Sequence, residues 1–185
     1  MQAGFGRTGS HYWGFEAQGV IPDIVTMAKG IGNGCPLGAV VTTPKIASAL
    51  AQRTHFNTFG GNPVVCAMGS AVLDVIDREK LQANTLKIGS RILDGLNKLK
   101  EKHNVIGDVR GKGLLLGIEL VKDRQSKEPG KEEAAQVLET AKDMGLLLGK
   151  GGLWGQTIRF SPPMCVNEQD ADFLLEILDR ALASL

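Results

Sequence analysis

Pro22-Asp23-Ile24-Val25-Thr26-Met27-Ala28-Lys29-Gly30-Ile31-Gly32-Asn33-Gly34 is an apolar run that ends in a lysine and a turn rich in glycine. Residues 22–27 read as a short buried strand, and residues 37–42 (Leu-Gly-Ala-Val-Val-Thr) as a second one. Lys29 then stands at a strand's C-terminal edge, where α/β sheets place their ligands. Glycines there allow positive φ and a close approach of backbone to a guest. A lysine amine desolvated in such a hollow can condense with a carbonyl to a Schiff base. The spacing alone is equally compatible with an ordinary loop lysine.

Outward from this core, Pro44 opens a short helix to about Ala51, and Asn62-Pro63 is a helix start with Asn as cap. The helix continues through Val64, Ala67, Val72 and Ile76; being mostly apolar, it is expected to be buried. Residues 81–103 form an amphipathic helix. Residues 105–110 and 114–121 are expected strands, joined by a hairpin at Gly111-Lys112-Gly113. Residues 132–144 are helical, with Gly145 as C-cap. Short strands follow at 146–148 and 157–160. The last helix, 167–182, carries Phe173, Leu174, Ile177, Leu178 and Leu182 on its apolar face. The fold class is α/β. A boundary near residues 76–81 divides the chain into 1–78 and 79–185.

Bulk properties narrow the function. Of 185 residues, 43% are hydrophobic and 22% charged, with a net charge of +1 and no basic block. Nucleic acid and anionic membranes are therefore unexpected partners. No apolar run is long enough to span a membrane. Cys35, Cys66 and Cys165 are scattered and odd in number, which favours reduced thiols over a disulfide framework or a metal site.

Two further motifs carry chemistry. Thr58-Phe59-Gly60-Gly61-Asn62-Pro63 brings a hydroxyl, two glycines and a helix N-terminus together, a setting for a phosphate or simply a capped helix start. In Ile158-Arg159-Phe160-Ser161-Pro162-Pro163, Arg159 interrupts an apolar strand before two rigidifying prolines. It could take a carboxylate through its bidentate fork, snorkel to solvent, or pair with a structural glutamate.

Taken together, Gln2-Ala3-Gly4-Phe5-Gly6-Arg7-Thr8-Gly9, the Lys29 stretch, His55-Phe56-Asn57-Thr58-Phe59-Gly60-Gly61-Asn62-Pro63, Asp108-Val109-Arg110-Gly111-Lys112-Gly113-Leu114 and the Arg159 segment resemble the class III aminotransferases. Within them the wording is most similar to the mitochondrial-type alanine–glyoxylate branch, especially its plant form. The resemblance covers essentially the whole chain. It implies a PLP-transferase fold: part of a large αβα domain (1–78), then a small C-terminal α+β domain (79–185). It implies pyridoxal 5'-phosphate (PLP) as cofactor and amino and 2-oxo acids as substrates. Transfer would run from L-alanine to glyoxylate, in a mitochondrial homodimer or homotetramer. Lys29 would hold the cofactor and serve as base in the 1,3-proton shift. Gln2 would hydrogen-bond the cofactor's phenolic oxygen, Thr58 its phosphate across the dimer interface, and Arg159 would lie near the substrate carboxylate.

The pattern departs from the family in places. Ala3 stands where Thr or Ser is usual. Met1 stands at the valine of the family's Asp-Glu-Val-Gln run, so the aspartate for the pyridine nitrogen is not present upstream of Gln2. That reading makes the chain a C-terminal fragment, impaired in turnover, with uncovered apolar surface around Ile24, Val25, Val40 and Val41. A non-catalytic fragment, or a relative acting on ornithine, γ-aminobutyrate or β-alanine, are the alternatives. A nucleotide-phosphate module is a third, weakened by the lack of GxGxxG or GxxxxGK[ST] in the right strand context.

Overall fold

The computed structural model describes residues 3–185. They fold into two units, Met1–Gln82 and Ala83–Leu185.

In the first unit, β1 (Ile24–Met27) pairs antiparallel with β2 (Ala39–Thr42), Val25 opposite Val41 and Met27 opposite Ala39. A single 3-10 turn, Lys29–Ile31, lies between them. Helices α1 (Pro44–Ala51) and α2 (Pro63–Arg78) follow, both with proline in the first turn, where a missing N–H costs nothing. Two expectations are corrected here. The strands are not buried: Ile24, Val40 and Val41 are all more than half exposed, which overturns the buried-strand reading and agrees with the uncovered apolar surface expected of a fragment. Helix α2, expected to be buried, hides only Gly69 and Ile76 and leaves Val64 and Met68 in solvent. An apolar sequence is buried only by what packs on it, and among the described residues nothing in this unit covers the two-stranded ribbon or most of α2. The antiparallel pairing also means that the parallel-sheet argument for Lys29 does not apply; it is the turn after β1 that presents the lysine.

The second unit is a four-stranded antiparallel sheet, order β3-β4-β6-β5. The strands are β3 (Ile106–Lys112), β4 (Leu115–Leu120), β5 (Gly149–Gly151) and β6 (Thr157–Phe160). Helices α3 (Leu81–Lys102), α4 (Lys131–Asp143) and α5 (Glu168–Ala183) supply the rest of its core. Leu116, Ile118 and Leu120 of β4 alternate inward, as do Ile158 and Phe160 of β6. Ile88, Ile92, Leu96 and Leu99, at helical spacing on α3, close the same core. Each fully buried side chain of this kind contributes about 1.5–3 kcal/mol.

The helix ends explain the boundaries. Asn167 and Asp170 form a reciprocal capping box at the start of α5. Gly145, at φ +91°, ends α4 in a Schellman motif: its N–H donates to Lys142 O and that of Leu146 to Ala141 O. Because residues 144–146 are used in that stop, residues 146–148 are not the expected strand; the chain joins the sheet only at Gly149. The hairpin turn is likewise one step later than expected. Lys112 still pairs with Leu115, so the turn is Gly113-Leu114. Phe173 sits at the edge of the α5 stripe, beside Gly145, and is 46% exposed rather than core.

Close approaches depend on glycine. A Cβ at Gly89 of α3 would stand 2.3 Å from Gly113 O and 2.6 Å from its Cα, so the helix rests directly on the hairpin turn. A Cβ at Gly95 would meet only the flexible end of Leu175, at 2.3 Å. Gly89→Ala should therefore lower the free energy of urea unfolding by about 1–3 kcal/mol, and Gly95→Ala by less, because Leu175 can move and backbone cannot.

Ion pairs tie α3 to α5: Lys87–Glu168 (2.7 Å), Arg91–Asp172 (2.8 Å), and Lys102 and His103 on Asp179 (2.7 and 2.6 Å). The hydrogen bond from His103, then that from Lys102, hold the Asp179 carboxyl below its ordinary 3.8. Hydrogen bonds from Arg91 and Lys87 lower Asp172 and Glu168 in the same way. A depressed carboxylate stabilises the fold above its ordinary value, and that stabilisation disappears as pH falls through the depressed one. The urea midpoint should thus drop as pH falls below 3.8 toward the depressed value, and Asp179→Asn should flatten that drop while lowering stability at neutral pH.

Candidate active site

Lys29 sits where the sequence places it, directly after β1, but with φ of +55°. A side-chain-bearing residue in the left-handed region costs on the order of 1–3 kcal/mol and persists only where its surroundings impose it. Here they do. Gly32 donates its N–H to Lys29 O at 3.1 Å, and Cys35 donates to Gly32 O at 2.9 Å. A Cβ at Gly32 would lie 2.3 Å from Cys35 O, and one at Gly69 of α2 would lie 2.4 Å from Leu37 Cδ2. The turn is folded onto itself through Gly32 and clipped to the helix through Leu37 over Gly69. Lys29 opens into a hollow of about 680 Å3 whose lining comes wholly from residues 28–38. Its amine has no ion pair among the described residues.

The stretch after Ala3 is a buttress for this turn. Phe5, 5% exposed and itself at φ +57°, meets Trp13 edge-to-face at 5.0 Å and Tyr12 at 6.1 Å; Trp13 stacks on Phe15 at 6.4 Å. The Phe5 ring lies 3.7 Å from where a Gly30 Cβ would stand, directly behind Lys29. The loop is fixed by Gly6 N–H donating to Tyr12 O (2.9 Å) and by Gln82 Nε2 donating to Gly9 O (3.1 Å). Burial lowers the Arg7 pKa and, with Asp77, raises that of Tyr12. Gln2 lies outside the described residues.

Thr58 is exposed in the turn before α2. The helix end itself is closed to an anion: Asn62 Oδ1 accepts from the N–H groups of Val64 (3.0 Å) and Val65 (3.2 Å). Asn57 Oδ1 takes those of Phe59 and Gly60, both at 3.1 Å. What is left open among the described residues is the Thr58 hydroxyl with the N–H groups of Thr58 and Gly61. Thr58 is not among the residues lining the Lys29 hollow.

Arg159 belongs to the second unit, on the outer face of β6, between Gly117 of β4 and Gly149 of β5. Its guanidinium lies across Gly149, with Nε and Nη2 each 3.5 Å from the position of a Gly149 Cβ. It is exposed and, among the described residues, makes no pair with a structural glutamate, which leaves the solvent-facing and carboxylate-binding readings of its sequence. Sequence reasoning missed Phe5, Asn57 and Glu119 of β4, the diagonal cross-strand neighbour of Arg159. The aromatics Phe5, Tyr12, Trp13 and Phe15 and the Asn57 turn were legible signals; cross-strand neighbours were not.

The pattern described as "Aminotransferase class-III" matches residues 1–182. The chain is 55% identical, over 185 residues, to "Alanine--glyoxylate aminotransferase 2 homolog 2, mitochondrial" of Arabidopsis thaliana, covering 100% of this chain and 39% of that protein. It is 53% identical to "Alanine--glyoxylate aminotransferase 2, mitochondrial" of Homo sapiens, covering 98% and 36%. Among solved structures, an Arthrobacter phospholyase in complex with phosphoethanolamine superposes with a TM-score of 0.96 at 38% identity, over 100% of this chain and 44% of that one. A PLP-bound amine transaminase from an uncultivated Pseudomonas species gives 0.89 at 34%, over 98% and 42%. The chain thus spans about two fifths of the length of these relatives, and its α/β fold is part of the PLP-transferase fold.

Asn62→Ala should cost about 1 kcal/mol as a lost helix cap. Amide exchange at Val64 and Val65 should accelerate while that of α5 stays unchanged; equal acceleration in both helices would mean global loosening instead.

Proposed function

Because the chain belongs to the class III aminotransferase family, we propose that it supplies the cofactor lysine, a phosphate contact and the carboxylate receptor of an enzyme that moves an amino group from L-alanine to glyoxylate, giving pyruvate and glycine. The observation that carries this reading is Lys29: an amine without an ion-pair partner among the described residues, held on a strained turn that lines a hollow. The names of the plant and human relatives support the substrates and a mitochondrial setting. The first unit is then the closing part of the large cofactor domain, and the second the small C-terminal domain.

The residues present fit PLP. Lys29 Nζ is a primary amine placed for a covalent link to an aldehyde. The Thr58 hydroxyl and the N–H groups of Thr58 and Gly61 are donors suited to a phosphate. The lining of the Lys29 hollow holds no carboxylate, so the partner of a pyridine nitrogen has to come from outside residues 28–38. Bound PLP supplies the electron sink that makes an amino acid's Cα–H acidic and stores the amino group between half-reactions. With PLP bound, Lys29 Nζ would be the base that takes the proton from the substrate's Cα and holds it for return. The positive φ at Lys29 and the Phe5 buttress restrict where that amine can reach. Arg159 orients the substrate by its carboxylate, which both half-reactions share. Gln2 stays assigned to the cofactor's phenolic oxygen. The family resemblance assigns Thr58 to the phosphate of a second copy's cofactor, in a homodimer or homotetramer.

Incubation of the chain with PLP, followed by borohydride reduction and peptide mapping, should place the label on Lys29 and leave Lys29→Ala unlabelled. Label spread evenly over surface lysines would count against the site. Spliced in place of the matching 39% of the Arabidopsis relative, the chain should support pyruvate formation from L-alanine and glyoxylate. Lys29→Ala should abolish it, and Arg159→Gln should raise KM for both substrates. Release of inorganic phosphate from phosphoethanolamine, in place of pyruvate formation, would redirect the reading to phospholyase chemistry, after the name of the Arthrobacter neighbour.

A further inference from the structure

The outer face of the second sheet carries two cross-strand rows. One runs Arg110, Gly117, Arg159, Gly149; the other runs Asp108, Glu119, Thr157, Gly151. Glu119 is therefore a diagonal neighbour of Arg159, at a separation of roughly 7–8 Å that long side chains easily bridge. An anion and a cation so placed would pair if nothing else held them. They do not pair, and both oxygens of Glu119 are occupied. Oε2 accepts from Arg110 Nη1 at 2.8 Å, and Oε1 accepts from Gln156 Nε2 at 2.9 Å. Arg110 is anchored in turn on Asp108 (2.6 Å). Gln156, only 6% exposed, is fixed by accepting the Trp154 N–H at 3.1 Å. Arg159 meanwhile leans the other way, over Gly149.

We propose that Arg110 and Gln156 clamp Glu119 so that Arg159 stays unpaired and open to a substrate carboxylate; this rests on the reading of Arg159 as the carboxylate receptor. Arg110, Gln156 and Glu119 are positioning residues, acting through Arg159. Glu119 stays anionic at neutral pH, since the hydrogen bonds from Gln156 and then Arg110 hold its carboxyl below the ordinary range. Losing either clamp residue frees an anion that competes with substrate for Arg159. An exposed pair of this kind would reduce the availability of Arg159 about two- to fivefold.

The test is the rate at which phenylglyoxal, which attacks unpaired guanidinium groups, modifies Arg159 in the 185-residue chain. Peptide mass spectrometry reads the rate, with exposed Arg53 of the first unit as internal reference. Arg110→Met and Gln156→Leu should each slow Arg159 about two- to fivefold relative to Arg53. Adding Glu119→Gln to either variant should restore the original rate, and Glu119→Gln alone should leave it unchanged. A merely structural role predicts the opposite, faster modification as the sheet loosens. Unchanged or faster Arg159 modification in both clamp variants, or slowing that Glu119→Gln does not reverse, would overturn the clamp. Protection of Arg159 by pyruvate in the unaltered chain reports separately on the receptor reading. Slowing without any such protection would overturn that reading and leave the Glu119 competition standing.

Discussion

The turn that carries Lys29 keeps its shape only because Gly32 and Gly69 have no side chains. A methyl group at Gly32 would collide with the carbonyl of Cys35, and one at Gly69 with Leu37. Everything chemical about the first unit follows from that exclusion. Lys29 is held in left-handed backbone beside the hollow it lines, and Phe5 packs on the turn at Gly30. The unit has little buried apolar surface to enforce such a geometry by packing. It enforces it by short-range backbone contact, where tolerance is a few tenths of an ångström.

The second unit depends on a different principle. Its sheet separates function from stability by the pleat. Leu116, Ile118, Leu120, Ile158 and Phe160 point to the core, and the alternate positions carry the charges. Arg159 therefore gains a fixed base without being buried. The glycines on either side of it, Gly117 and Gly149, leave a shelf rather than a crowded surface.

How much of this was legible in the sequence depended on whether the signal was local. Helix ends were read well, because Asn62, Asn167 and Gly145 act on the backbone within a turn of themselves. The family was read from five stretches in order, and the comparisons agree. Burial in the first unit was misread from periodicity: Val40 and Val64 have core-like side chains yet are exposed, and for Val40 it was the fragment reading that expected this. The hairpin turn slipped by a residue, since Gly111 and Gly113 compete for it and only the pairing of Lys112 with Leu115 decides. The surroundings of Arg159 were invisible. Its neighbours Gly117, Glu119 and Gly149 lie 42, 40 and 10 residues away in sequence and meet it only through strand register.

That register also governs how the second unit assembles. β3 with β4, and β5 with β6, are sequence neighbours that can zip as independent hairpins. Only the seam between β4 and β6 joins distant segments, and it must wait for α4 and its flanking loops to be looped out. Loop closure is entropically slow to begin and is rewarded only once Ile118 and Ile158 come together. The seam between Gly117 and Arg159 is thus the long-range closure that completes the sheet, and it sets the surroundings of Arg159 in the same step.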